Sequence, residues 1–406
     1  AVGDEVVLRK RCPEHGEFQT VIWRGTPSYV SWNRPKMPSR LGTPATPADV
    51  PAEKIEIPEG SPLEKGALRT AHPFGGDGPG RRRSLTPQEQ EVPVSTTSAG
   101  VQRGCPWECG LCPEHRQKTC CILIEVTRRC DLKCRVCFAD AGTSDGRDPD
   151  FNAVKGMYES LLAAGGPYNV QLSGGEPTLR DDLPEIVSLG RSLGFDYIQL
   201  NTNGLRLARE PAYLERLKKA GLACVFLQFD GVSDEVYEKL RGRPLFREKE
   251  LAITHCMEMD LGVILVPTLV PGVNVDQIGA VIEYALGNLP QVRGVHFQPV
   301  SYFGRYPLPP RNEDRLTIPE IITEIEKQTK GLIKTAFFKP SGAENAYCSF
   351  HGNFVLMPDG ELRPWATHPI AGPCCRTEEV QPGVLKAQRF LKQFWTSPRK
   401  SCCSPP

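Results

Sequence analysis

Six of the chain's 16 cysteines fall into two loops of one spacing, C-x3-C-x2-C: Cys105, Cys109 and Cys112, then Cys130, Cys134 and Cys137. Thiols this close along a chain belong either to a disulfide framework or to a metal centre. Disulfide-dense folds are mostly short and secreted. This chain runs to 406 residues, and its first ten lack the apolar stretch of a secretory signal. Metal ligation is the better reading, and it implies a reducing, cytoplasmic setting. Such a loop wraps three thiolates around three corners of a cubane iron–sulfur cluster, which normally takes four ligands. Three ligands leave one iron open, as a metal site that binds substrate requires. Spacing alone leaves two other readings: an electron-transfer cluster completed by a distant cysteine, and a zinc site.

The rest of the chain sets the context. Residues 1–33 read as a small β-rich piece, with strands near 6–8 and 18–23 around the turn Cys12-Pro13-Glu14-His15-Gly16. Residues 34–100, rich in Pro, Gly, Ser and charge, read as a surface linker. Residues 101–121 carry the first cysteine loop. From 122 to 303 apolar strands alternate with helical patterns. Strands are expected at 122–126, 168–172, 197–200, 224–229, 263–269 and 295–300. Helices are expected at 150–164, 181–193, 211–220, 234–240, 248–259 and 275–289. The alternation predicts an α/β fold, a parallel sheet curved into a partial, TIM-like (β/α)6 barrel with its chemistry at the carboxyl ends of the strands. Residues 304–406 form a Cys-containing C-terminal extension with a helix at 318–330. Lys and Arg number 49 against 48 Asp and Glu, a net charge of +1 that does not point to a nucleic-acid partner. No apolar run is long enough to form a transmembrane segment.

The second cysteine loop directly follows the first barrel strand. One β/α unit later comes Ser173-Gly174-Gly175-Glu176-Pro177 at the end of the next strand. Two glycines let backbone approach a ligand closely, and Glu176 adds a carboxylate. Polar residues recur at later strand ends: Asn201 and Asn203, then Gln228 and Asp230, then Gln298 and Ser301. Each is also compatible with simple turn capping.

Together the cysteine loop and the G-G-E-P segment resemble the radical S-adenosylmethionine (SAM) superfamily. The resemblance implies that Cys130, Cys134 and Cys137 hold a catalytic [4Fe-4S] cluster and that Gly174, Gly175 and Glu176 lie at the amino group of SAM. It places further SAM contacts at Phe138, Ser173, Asn201, Asn203, Gln228, Asp230 and Gln298. It also implies reductive cleavage of SAM to methionine and a 5′-deoxyadenosyl radical, with electrons from an external donor such as ferredoxin or flavodoxin.

Cys105 to Cys112 has no G-G-E-P segment of its own, so the first loop reads as an auxiliary [4Fe-4S] cluster or a zinc knuckle. Its fourth ligand would come from Cys120, Cys121, Cys348, Cys374 or Cys375. Cys348, Cys374 and Cys375 are either ligands of a third cluster or buried thiols. The run Cys105-Pro106-Trp107-Glu108-Cys109-Gly110-Leu111-Cys112-Pro113-Glu114-His115, with Lys10 to Glu17 and Cys348 to Phe354, is similar to the subfamily of archaeal pterin-methylating enzymes and tetraether lipid synthases. Relatives open with a C-x2-C pair that completes a rubredoxin-like metal site. Here Cys12 has no such partner upstream, so the chain shown is either truncated at its start or this site is lost or differently completed. His15 and His115 are expected to cap turn backbone.

The resemblance implies C–C bond formation at an unactivated carbon. The substrate is either a pterin-like or other small molecule that receives one carbon, or lipid chains that are joined, which a membrane-peripheral protein could reach. A radical SAM modifier of peptides and a non-catalytic iron–sulfur or zinc protein are the alternatives.

Overall fold

The computed structural model describes residues 5–32, 121–142, 147–163, 166–307, 309–341, 346–365 and 383–396. The expected linker at 34–100, the auxiliary loop with Cys105, Cys109 and Cys112, His115, and Cys374 and Cys375 lie outside the described residues.

Glu5–Cys12 (β1) and Gly16–Arg24 (β2) form an antiparallel hairpin. Then come Cys121–Thr127 (β3), Phe151–Ala163 (α1), Asn169–Gly174 (β4), Leu183–Ser192 (α2), Ile198–Thr202 (β5), Leu205–Arg209 (α3) and Pro211–Lys219 (α4). Cys224–Gln228 (β6), Asp234–Arg241 (α5), Phe246–Glu258 (α6), Gly262–Val266 (β7), Thr268–Leu269 (β8), Ile278–Gly287 (α7), Val292–Val295 (β9) and Gln298–Pro299 (β10) follow. The six-stranded sheet runs β3-β4-β5-β6-β7-β9, and each neighbouring pair is parallel. This is the α/β fold that the alternation of strands and helices predicts, a parallel sheet with helices between its strands.

Strand alternation explains how the sheet is covered. Ile124, Val126, Val170, Leu172, Ile198, Leu200, Val225, Leu227, Val263 and Leu265 point outward into a core shared with the helices. Their alternates (Glu125, Gln171, Ser173, Gln199, Asn201, Phe226, Gln228 and Ile264) line the concave face. That face is polar along β3 to β5 and apolar along β6 and β7 as far as Gln228, the last residue of β6.

The sixth barrel strand differs from expectation. It is β9, and Gln298–Pro299 pairs instead with β8 beyond Pro267. Proline has no N–H, so β7 ends at Val266, and the ladder resumes two residues later.

The extension contains Ile318–Gln328 (α8), short strands Lys339–Pro340 (β11), Phe350–His351 (β12), Phe354–Leu356 (β13) and Leu362–Pro364 (β14), and a helix, Gly383–Phe394 (α9). The α9 helix is not foreseen from sequence. Its Leu391, with Trp395 just beyond it, packs on Tyr197, Cys224, Phe226, Ile264 and Val266, covering the apolar half of the concave face. The contact is close enough that a Cβ at Gly262 would lie 2.2 Å from the Trp395 carbonyl oxygen. The hairpin docks on α8: Trp23 is buried against Trp32 and Ile322, and Arg24 reaches Glu320 at 2.8 Å. Thr317 and Glu320 begin α8 with a capping box.

Candidate active site

The cysteine loop leaves β3 through a fastened base. Arg180, nearly fully buried, donates to the carbonyls of Val126 at 2.9 Å and Pro149 at 2.6 Å. Arg129 pairs with Asp148 at 2.6 Å, and Thr127 donates to the same carboxylate. Beyond the end of β4 the chain keeps pairing with this base. The Gly175 N–H donates to Thr127 O and the Glu176 N–H to Arg129 O, both at 2.8 Å. A Cβ on Gly174 would lie 2.1 Å from Thr127 O, and one on Gly175 2.1 Å from Arg129 O. The neighbour that demands glycine here is therefore the protein's own backbone: the pair lets the end of β4 lie directly on the root of the cysteine loop.

Glu176 is buried, and its carboxylate is fully engaged. Oε1 accepts from Thr178 N at 3.0 Å, Thr178 Oγ1 at 2.5 Å and Thr202 Oγ1 at 2.6 Å, while Oε2 accepts from Asn203 N at 2.6 Å. Burial pushes this carboxyl up, and the hydrogen bonds from Asn203, Thr178 and Thr202 pull it back. Asn203 extends the network by donating to Asp131 Oδ1 at 2.7 Å, inside the cysteine loop. The ends of β4 and β5 are thus locked to each other and to the loop. Asn201 donates to Ser173 Oγ at 3.1 Å on the concave face.

The thiols of Cys130, Cys134 and Cys137 are half-buried and unbridged. Cys130 and Cys134 pack on Leu132, Leu205, Tyr237 and Leu245. Cys137 exchanges backbone hydrogen bonds with Arg305 at 2.8 and 2.9 Å, and Arg305 Nε donates to Cys134 O at 2.8 Å. Exposed Phe138 stands edge-on to Phe303, with ring centroids 6.5 Å apart. Among the described residues no three His, Cys, Asp or Glu side chains converge tightly enough for a single ion. Thiolates on separate corners of a cubane stand farther apart than the ligands of one ion. Three thiols on one loop, with no disulfide between them, fit the donor set of an iron–sulfur cluster. Burial pushes the Cys130 thiol up to about 12, so binding a cluster there must displace a proton.

Sequence reasoning missed two buried cations beneath the loop. Arg241 forms a two-point pair with Asp230, Nε–Oδ2 2.7 Å and Nη2–Oδ1 2.8 Å. Asp230 also accepts from Thr268 N at 3.1 Å and from the Gln228 amide, so its oxygens face protein donors in a sealed position. Lys249 is fully buried and donates to Asn203 O at 2.5 Å and Gln228 Oε1 at 2.9 Å. A signal existed, since Lys249 occupies the first place of the buried stripe Lys249, Ala252, Ile253, Cys256 on α6.

Burial pushes the Lys249 ammonium down to about 8, from about 10.5 in the unfolded chain. Between those values the unfolded chain holds more protons, so this group makes stability rise with pH. We expect the wild type to gain about 3 kcal/mol over a Lys249→Met variant across that window. Urea unfolding of both proteins from pH 7.5 to 10.5 reads it; a constant difference would refute it.

The remaining residues named from sequence lie apart from this cluster of contacts or outside it. Gln298 is exposed on β10, and Cys348 is exposed in a turn. Cys121 begins β3. His15 Nδ1 lies 3.2 Å from Cys12 Sγ, so it meets a thiol rather than capping backbone, and that contact lowers the thiol's pKa. No helix among the described residues is long and apolar enough to cross a membrane.

Residues 124–285 match the Radical SAM superfamily model, and residues 1–24 match the HMPTM N-terminal zinc ribbon domain, a span that includes Cys12 and His15. The chain is 37% identical over 340 residues to a 7,8-dihydro-6-hydroxymethylpterin dimethyltransferase of Methanocaldococcus jannaschii. That alignment covers 83% of this chain and 56% of the relative, so the chain spans little more than half of that protein's length. It is 25% identical to a probable GTP 3′,8-cyclase of Methanococcus maripaludis, covering 67% of this chain and 95% of that protein. Among solved structures it is similar to methylornithine synthase, with a TM-score of 0.43, 17% identity, and coverage of 70% of this chain and 85% of that one.

Proposed function

The chain carries a radical SAM domain at residues 124–285, and from that premise we propose that it is a methyltransferase forming a C–C bond on a pterin-like heterocycle. The observation that carries this reading is the polar half of the concave face. Glu125, Gln171, Gln199 and Asn201 line it. Amides and a carboxylate suit a small solute with donors and acceptors on its edge. A coupler of lipid chains needs a long apolar tunnel. The relative's name as a pterin dimethyltransferase supports the same choice.

When bound, the cluster and SAM supply a 5′-deoxyadenosyl radical. The chain's own part is placement. Cys130, Cys134 and Cys137 hold the cluster. Gly174, Gly175 and Glu176 fix the loop root at the depth from which their backbone meets the SAM amino group. Phe138 would pack by the adenine, and Ser173, Asn201, Asn203, Gln228, Asp230 and Gln298 would complete the SAM cleft directly or by holding neighbours. Closing that cleft excludes water from the radical step. Cys105, Cys109 and Cys112 hold an auxiliary [4Fe-4S] cluster, Cys348, Cys374 and Cys375 are candidates for a third, and a ferredoxin or flavodoxin delivers the electron.

The test is anaerobic incubation of reconstituted protein with SAM, dithionite and 7,8-dihydro-6-hydroxymethylpterin. Mass spectrometry should find the pterin heavier by one or two methyl groups. If SAM is cleaved, the pterin is unchanged and a lipid or peptide is consumed, the substrate assignment fails. If an intact, reduced cluster yields neither methionine nor 5′-deoxyadenosine, the catalytic reading fails.

A further inference from the structure

A cavity of about 530 Å³ lies where the N-terminal hairpin, the segment after β10 and the approach to α8 meet. Val21 and Ile22 of β2 line it, with Ser301, Tyr302 and Phe303 from beyond β10 and Arg315 from ahead of α8. Its size suits a small molecule, for which pockets run to roughly 300–1,000 Å³. Its lining includes none of the residues placed at the cluster or at SAM, yet it borders the cysteine loop. Phe303, 64% exposed, stands edge-on to Phe138, and two residues later Arg305 is hydrogen-bonded through its backbone to Cys137.

Arg315 is the charged residue in this wall. Its guanidinium carbon lies 4.9 Å from the centre of the Tyr302 ring, and the Tyr302 hydroxyl fixes that ring by donating to the Asp314 carbonyl. Nε of Arg315 is buried with no hydrogen-bond partner. The acidic residues beside it are engaged elsewhere: Glu313 and Asp314 face Arg311, and Glu320 pairs with Arg24. Among the described residues no carboxylate neutralises this cation. A half-buried guanidinium held on an aromatic face without a counter-charge favours an incoming oxyanion, because its planar fork can donate to a carboxylate or phosphate at two points. The rings of Tyr302 and Phe303 and the Ile22 side chain offer apolar surface to whatever carries that oxyanion. We propose that this cavity binds a small aromatic molecule bearing a carboxylate or a phosphate, with Arg315 holding the oxyanion. The proposal does not depend on the substrate of the radical step.

Anaerobic calorimetric titration of the full, reconstituted chain with naphthoate, naphthyl phosphate and neutral naphthol reads this directly. At least one of the two anions should bind about tenfold more tightly than naphthol, and the tighter of them names the oxyanion. Inorganic phosphate should bind more weakly than naphthyl phosphate, because it lacks the ring. In Arg315→Gln the preference for the anions should vanish. That variant keeps the backbone carbonyl that accepts from Arg24 at 3.3 Å, so the hairpin contact survives. Ser301→Asp sets a carboxylate in the same cavity and should remove the preference without touching Arg315. Ile22→Trp, which fills the cavity from the hairpin side, should weaken all three naphthyl probes. Anions that bind no more tightly than naphthol would overturn the proposal, as would a preference that persists in both Arg315→Gln and Ser301→Asp. Equal affinity for inorganic phosphate and naphthyl phosphate would overturn the aromatic part of it. Displacement of the bound anion by SAM would also overturn it, by showing that the cavity belongs to the SAM cleft.

Discussion

Replacing Gly175 with alanine is expected to cut iron loading by more than about tenfold and to abolish SAM cleavage. The added methyl would sit 2.1 Å from the Arg129 carbonyl oxygen. That neighbour is backbone, and it already accepts the Glu176 N–H at 2.8 Å, so no side chain can swing aside. Relief requires the end of β4 to lift from the loop root. Lifting it would draw Glu176 away from Thr178, Thr202 and Asn203, and through Asn203 it would disturb Asp131. The cysteine loop would lose its floor while each of its thiols remained in place along the chain. Gly156→Ala is the matched control. Gly156 lies within α1 with nothing within 4 Å of its Cβ position, and alanine there should leave iron content unchanged and add up to about 1 kcal/mol of stability. Iron and labile-sulfide analysis of the three proteins, with 5′-deoxyadenosine assay, decides the matter. A Gly175→Ala protein that loads iron like the wild type would show that the close approach is not required.

The barrel and the loop were legible because their signals are local. Buried parallel strands read as short apolar runs such as Ile122 to Val126 and Cys224 to Phe229, bounded by turns. The C-x3-C-x2-C loop and the G-G-E-P segment are contiguous. What holds them together was not legible, since it joins distant residues: Asn203 meets Asp131, Lys249 meets Gln228 and Asn203, and Arg305 meets Cys134. Sequence analysis assigned the two glycines to ligand approach, and geometry shows that protein backbone claims the space first. Arg241 and Lys249 escaped notice because charged residues on helices usually face solvent, yet both continue apolar stripes. The α9 helix was missed because its contacts, Leu391 and Trp395, find their partners on strands more than a hundred residues earlier. The displaced sixth strand turned on Pro267, whose effect on the ladder shows only once β7 and β8 are placed side by side.

Cys134→Ala is expected to bring SAM cleavage below detection, whereas Cys109→Ala should leave cleavage measurable and impair only methylation. Alanine at 134 keeps the carbonyl that accepts from Arg305 at 2.8 Å. It also keeps a small apolar group against Leu132 and Leu245. The fold should therefore survive, with a Tm within a few degrees of wild type, so that the loss reports a missing ligand rather than a collapsed loop. With only two thiols the loop cannot define the open iron to which SAM would bind. Cys109 belongs to the loop without a G-G-E-P segment one β/α unit later. If that loop holds the auxiliary cluster, its loss should not prevent the first electron from reaching SAM when dithionite supplies it directly. Single-turnover assays with dithionite, scoring 5′-deoxyadenosine and methylated pterin separately, distinguish the two roles. Equal loss of 5′-deoxyadenosine in both variants would show that the two loops act as one centre and would remove the division between a SAM-cleaving site and its neighbour.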